Sequence, residues 1–143
     1  MTQISVGIVG LGAQAQNHLN VLSRDHRVRL SGVADILDPL AQSMAKKYGC
    51  NSYRTYQELI DSEKLNAVYV VTPNVFHYET LKYALSKKLN VFCEKPMVIK
   101  LEHARDLINS VESSFEFTNE TTSFSLVSRK PISLSNQASS FGL

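Results

Sequence analysis

Cysteine is scarce: among 143 residues only Cys50 and Cys93 occur, and neither belongs to a Cys-x-x-Cys pair. That argues against a disulfide-stapled scaffold, and no metal site is expected. Two reduced, buried thiols in a cytoplasmic protein fit better. Charge of one sign is lacking too. Lys and Arg number 15 against 13 acidic residues, a formal net charge of +2, and no basic cluster stands out, so no nucleic-acid surface is expected. No apolar run approaches the roughly 18 residues of a membrane span. Met1 to Val6 carry no basic segment ahead of the first apolar run, so neither a membrane anchor nor a secretory leader is expected. No internal repeat is evident. What remains is an ordinary globular composition, 43% hydrophobic and 20% charged. The length suits one domain with a real core.

Short apolar runs alternate with longer amphipathic stretches as far as residue 112. The runs are Ile4–Val9, Arg27–Ala34, Ala67–Val71 and Asn90–Cys93, with a weaker one at Asn51–Tyr53. They are near-continuous rather than alternating, as strands covered on both faces are. Between them, Gln14–Ser23 sets Ala15, His18, Leu19 and Leu22 on one helical stripe. Asp38-Pro39 opens a second helix, as cap and first-turn proline, and Gly49 closes it. Thr55 to Glu58 has the form of a capping box for a third. Asn74–Lys87 and Leu101–Val111 complete the set. The order βαβαβαβαβα predicts an α/β fold, a doubly wound parallel Rossmann sheet of about five strands in the order 3-2-1-4-5.

From Ser113 the texture changes: this stretch holds more than half of the serines and four of the six phenylalanines. The reading is therefore a dinucleotide-binding domain over 1–112 and an irregular tail over 113–143. Phe115–Thr118 alternates like a short strand that can cover the edge beside the fifth strand, and disorder is expected over 121–143. Without such a cover, the apolar edge at Val91–Cys93 invites self-association.

The residues that carry chemistry follow the strands. Gly10, Gly12 and Ala15 fit G-x-G-x-x-A, with Ala13 and Gln14 inside it, between a predicted strand and a predicted helix. Gly10 permits the tight turn, Gly12 lets a pyrophosphate approach the backbone, and Ala15 lets the helix pack closely. The helix amino end then favours the phosphates. Asp35, ending the second strand, stands where an acidic residue binds ribose hydroxyls and repels a 2′-phosphate, which favours NAD over NADP. As a purely structural residue it would cap the following turn, and the two roles are compatible. Thr72, Pro73, Asn74 and His77 follow the fourth strand, and Glu94, Lys95 and Pro96 follow the fifth. Each group alone reads as a turn or a solvated loop. Both lie where open α/β sheets bind ligands.

Taken together and in this order, these motifs resemble the Gfo/Idh/MocA oxidoreductase family over residues 4 to about 111. The resemblance implies hydride transfer between NAD(P) and a hydroxyl or carbonyl carbon of a sugar or cyclitol. It implies that Thr72–Asn74 and His77 line the cofactor near its ribose and nicotinamide, that Glu94, Lys95 and Pro96 belong to the same site, and that Lys95 stands beside the reacting carbon as the catalytic residue. Members of that family continue into a sixth strand and a second α+β domain that supplies most substrate contacts, a further acid and histidine, and the usual oligomer interface. Two readings stay open: an oxidoreductase of this family, and a cofactor-binding module without independent catalysis, either a fragment or one half completed by a partner chain or a homo-oligomer. A small NAD-sensing regulator is a third, and no pair of DNA-binding helices supports it.

Overall fold

Five strands, β1 (Ile4–Val9), β2 (Val28–Ala34), β3 (Asn51–Tyr53), β4 (Ala67–Val70) and β5 (Asn90–Cys93), pair in parallel in the order β3-β2-β1-β4-β5. This is the order expected from the sequence. The computed structural model of the chain describes residues 3–112; the expectations for 115–118 and 121–143 lie outside the described residues. β1 is central and buried from Ser5 onward. Its alternate side chains feed two cores, Val6 and Ile8 on one face and Val9 on the other.

Helices α1 (Ala13–Leu22) and α2 (Asp38–Tyr48) cover the first face through Ala15, Leu19, Leu22, Ala41 and Ala45. Helices α3 (Tyr56–Ser62), α4 (His77–Ser86) and α5 (Leu101–Glu112) cover the second through Leu59, Ile60, Leu81, Ala84, Leu85 and Leu107. Leu19, Leu59 and Leu107 have no exposed surface, and each such side chain stabilises the fold by about 2 kcal/mol.

Helix ends follow the local chemistry, with two corrections. Thr55 and Glu58 form the expected reciprocal capping box, and Gly49 closes α2 in the left-handed conformation at φ +68°. Asp38, expected as the cap of α2, is instead its first residue, and its Oδ2 accepts from Gln42 Nε2 at 2.9 Å. The turn ahead of it is organised by Asp35, whose Oδ1 accepts the Leu37 N–H at 2.9 Å. The helix expected from Asn74 is divided into a 3-10 turn at Asn74–Phe76 and α4 proper. The Phe76 N–H donates to the Pro73 carbonyl at 2.9 Å, a tight turn that ends where the buried His77 begins α4.

Because every strand runs the same way, the segments after β1, β2, β4 and β5 converge on one edge of the sheet. The ladder extends past the strand ends and knits those segments together: Gly10 N to Ala34 O at 2.9 Å, Val71 N to Val9 O at 2.8 Å and Glu94 N to Val70 O at 3.0 Å. No helix among the described residues is long and apolar enough to cross a membrane.

Candidate functional site

The site begins at the turn between β1 and α1. Gly10 has φ +87°, and a Cβ there would lie 2.6 Å from the Thr72 backbone nitrogen and 2.8 Å from Thr72 Cα. Glycine is thus required twice, by its own dihedral and by the close pass of the segment after β4. Gly12 differs. Its φ is −63°, and a Cβ on it would meet nothing within 4 Å. The protein's own packing does not demand glycine there, so the bare backbone faces open space. Gly12 is also the residue preceding α1, whose amino end has no side-chain cap and no acidic residue in its first turn. Exposed Ala13 and Gln14 border this end, while Ala15 is fully buried under the helix. Uncapped N–H groups with an open approach make a receptor for an anion.

On one side of this cradle stands Asp35. Its Oδ2 accepts the Leu11 N–H of the glycine turn at 2.8 Å, and its Oδ1 holds the turn into α2. The carboxylate is fixed by two backbone donors and retains lone pairs for further partners. The structural and ligand roles foreseen for Asp35 are therefore compatible in geometry. Beside it Ile36 is 80% exposed, an apolar surface next to a hydrogen-bond acceptor.

On the other side, β4 and β5 deliver their two motifs. Thr72 packs against Gly10, and its Oγ1 is buried without a hydrogen-bond partner. Pro73 and Asn74 are exposed, as are Lys95 and Pro96, and the Lys95–Pro96 peptide is cis. His77 has no exposed surface. Its Nε2 lies 2.7 Å from the Thr72 carbonyl and its Nδ1 lies 2.9 Å from the Pro96 carbonyl. A doubly protonated ring donates to both carbonyls; a neutral ring donates to one. In the neutral form with hydrogen on Nε2, the Cys93 thiol, 3.3 Å from Nδ1, can donate to the ring. Burial pushes that thiol up to about 12, so it stays protonated. His77 lies buried beneath the loops it joins. It ties the segment after β4 to the segment after β5.

A second histidine enters that the sequence reading had placed only in an apolar stripe. His18 of α1 is half-buried, and its Nε2 sits 2.7 Å from Glu94 Oε1. That hydrogen bond is the main reason the Glu94 carboxyl is held below the usual carboxylate range. The imidazole rests against Phe92 and Tyr69, at centroid distances of 5.2 and 5.6 Å, and those two rings stack on each other at 4.7 Å. The available signal was the period of two in Phe92-x-Glu94, which puts both side chains on the α1 face. No group of three or more metal-ligating side chains occurs among the described residues.

The arrangement is an uncapped helix amino end flanked by a fixed carboxylate on the β2 side and by Thr72, Glu94 and Lys95 on the β4–β5 side. Residues 4–116 match the model of the Gfo/Idh/MocA oxidoreductase family with its NAD-binding Rossmann fold. The chain belongs to this family. Its Gfo/Idh/MocA relatives include glucose-6-phosphate 3-dehydrogenase of Bacillus subtilis, 38% identical over 107 residues that cover 75% of this chain and 30% of the relative. Inositol 2-dehydrogenase/D-chiro-inositol 3-dehydrogenase of Lactiplantibacillus plantarum is 32% identical over 108 residues, covering 73% and 31%. The crystal structure of GenD2 from gentamicin A biosynthesis in complex with NAD superposes with a TM-score of 0.76 at 28% identity, covering 80% of this chain and 33% of that one. The chain thus spans about a third of the length of the family members it matches. What it carries is the family's dinucleotide-binding Rossmann domain.

Proposed function

We propose that this chain supplies the cofactor half of an oxidoreductase that moves a hydride between a nicotinamide dinucleotide and a hydroxyl or carbonyl carbon of a sugar or cyclitol. The observation that carries this reading is the open space at Gly12, where nothing stands within 4 Å of an added Cβ at the uncapped start of α1. A pyrophosphate fits there, against N–H groups and the positive end of the helix dipole. The adenosine then extends toward Asp35 and Ile36, and the nicotinamide toward Thr72, Glu94 and Lys95, since β2 and β4 flank β1 on opposite sides.

NAD is the preferred dinucleotide, because the Asp35 carboxylate accepts hydrogen bonds from a ribose diol and repels a 2′-phosphate. The bound dinucleotide supplies the hydride chemistry. The chain's own contribution at the reacting end is Lys95, whose exposed ammonium can hydrogen-bond a substrate oxygen and stabilise charge that develops on it. Residues 1–112 form the cofactor domain in this reading. The relatives named above act on a sugar phosphate and on inositols, which supports a polyhydroxylated substrate.

A second reading rests on the coverage of about a third: a cofactor-binding module that turns over only when another polypeptide segment closes the site. Water exclusion at the nicotinamide face depends on such a segment. One experiment tests the shared premise. Titration of the purified chain with NADH, followed by nicotinamide fluorescence, should saturate, and Gly12→Val should abolish it while the melting temperature stays close to that of the parent. Binding that survives Gly12→Val would overturn the assignment. Adding sugars and inositols with NAD then separates the two readings by the presence or absence of NADH formation.

A further inference from the structure

His18 and Glu94 meet from distant parts of the chain. The imidazole is seated by three elements: the backbone of α1, Tyr69 of β4 and Phe92 of β5, which are register partners. A ring held edge-on to one aromatic and tilted against a second has little freedom, so its Nε2 is a fixed point. Glu94 Oε1 lies 2.7 Å from that point, while Glu94 Oε2 lies 3.3 Å from the Lys95 backbone N–H. Both carboxylate oxygens are thereby oriented, although the side chain retains 27% of its surface. An exposed glutamate ordinarily loses side-chain entropy when ordered; here the ordering is imposed by a helix and by its own strand.

The consequence depends on where this carboxylate stands. With phosphates at Gly12 and adenosine toward Asp35, the β4–β5 side of the edge receives the nicotinamide. The oxidised ring carries a positive charge and the reduced ring is neutral. A fixed negative charge on that side interacts favourably with one and not with the other. We infer that His18 is a positioning residue that holds Glu94 as an oriented carboxylate at the nicotinamide end, and that the pair biases the site toward the oxidised dinucleotide. The inference rests on the dinucleotide reading of the preceding subsection and deepens it.

The test measures dissociation constants for NAD and for NADH separately on the full chain, by calorimetry and nicotinamide fluorescence. It compares the parent with Glu94→Gln, His18→Phe and His18→Gln. Glu94→Gln, a half-buried and isosteric change, should weaken NAD about fivefold and leave NADH within about twofold. His18→Phe keeps an aromatic ring against Tyr69 and Phe92 but removes the donor, and should shift the ratio in the same direction by a smaller amount. His18→Gln restores an N–H donor and should recover the ratio. A merely structural role for His18 would weaken both ligands together and would not be rescued by glutamine. Equal weakening of NAD and NADH in the variants, or an unmoved ratio, overturns the inference while the dinucleotide reading stands. Failure of the parent chain to bind either ligand removes both.

Discussion

The β1–β2 half and the β4–β5 half of the site are built by different means. Around β1 and β2, position is set by backbone. Gly10 turns at φ +87°, the Leu11 and Leu37 N–H groups clamp Asp35, and all of this lies within 28 residues from Gly10 to Leu37. Around β4 and β5, position is set by side chains from far apart. His77 bridges the carbonyls of Thr72 and Pro96, and His18 reaches Glu94 across 76 residues of sequence. A backbone-made half resists most side-chain substitutions and is broken by a Cβ. A half made by side-chain bridges tolerates a Cβ and is broken by loss of a ring.

The largest effect expected from breaking this contrast is at Gly10. Gly10→Ala puts a methyl against the Thr72 backbone and asks for a left-handed alanine, at a cost of about 3 kcal/mol or more. Chemical denaturation should show that loss, and a change under about 1 kcal/mol would mean that the turn relaxes freely. Next comes His77→Phe, which keeps ring volume and removes both nitrogens. It takes the ring's hydrogen bonding away from the Thr72 and Pro96 carbonyls, for about 2 kcal/mol. Its distinguishing sign is a loss of NADH affinity larger than that of an equally destabilising core change such as Leu107→Val, because His77 joins the segments after β4 and β5. Equal losses from the two variants would reduce His77 to core packing. The smallest effect concerns Asp35→Ala. Stability should fall by about 1 kcal/mol as the Leu11 and Leu37 amides lose their acceptor, and the proposed preference for NAD over NADP should narrow. Preference unchanged in the binding titration would sever Asp35 from ribose recognition.

The same contrast explains what was legible beforehand. The strand order, the glycine turn, the capping box at Thr55 and the closing Gly49 follow from near neighbours in sequence, where dihedral preference and hydrophobic period act directly. An aspartate before proline is a sound local signal for a cap, yet Asp38 is the first residue of α2 and the turn ahead of it is held by Asp35, as its own sequence position allows. The periodicity of Asn74–Lys87 predicts one helix because it continues through a 3-10 turn that the Pro73 carbonyl closes. His77 and His18 were visible as residues but not as bridges, since a bridge is defined by its second end.

By itself the sequence determined the parallel α/β sheet, its strand order and the set of residues gathered at its carboxyl edge, because alternating apolar runs and glycine at obligatory turns leave few ways to bury a core. Only the tertiary structure decided the work of the polar side chains that bridge distant segments. Burial set His77 between two carbonyls, and packing on Tyr69 and Phe92 aimed His18 at Glu94. Hydrogen-bond partners of buried polar groups are set by distances between elements, and those distances exist only once the sheet has assembled.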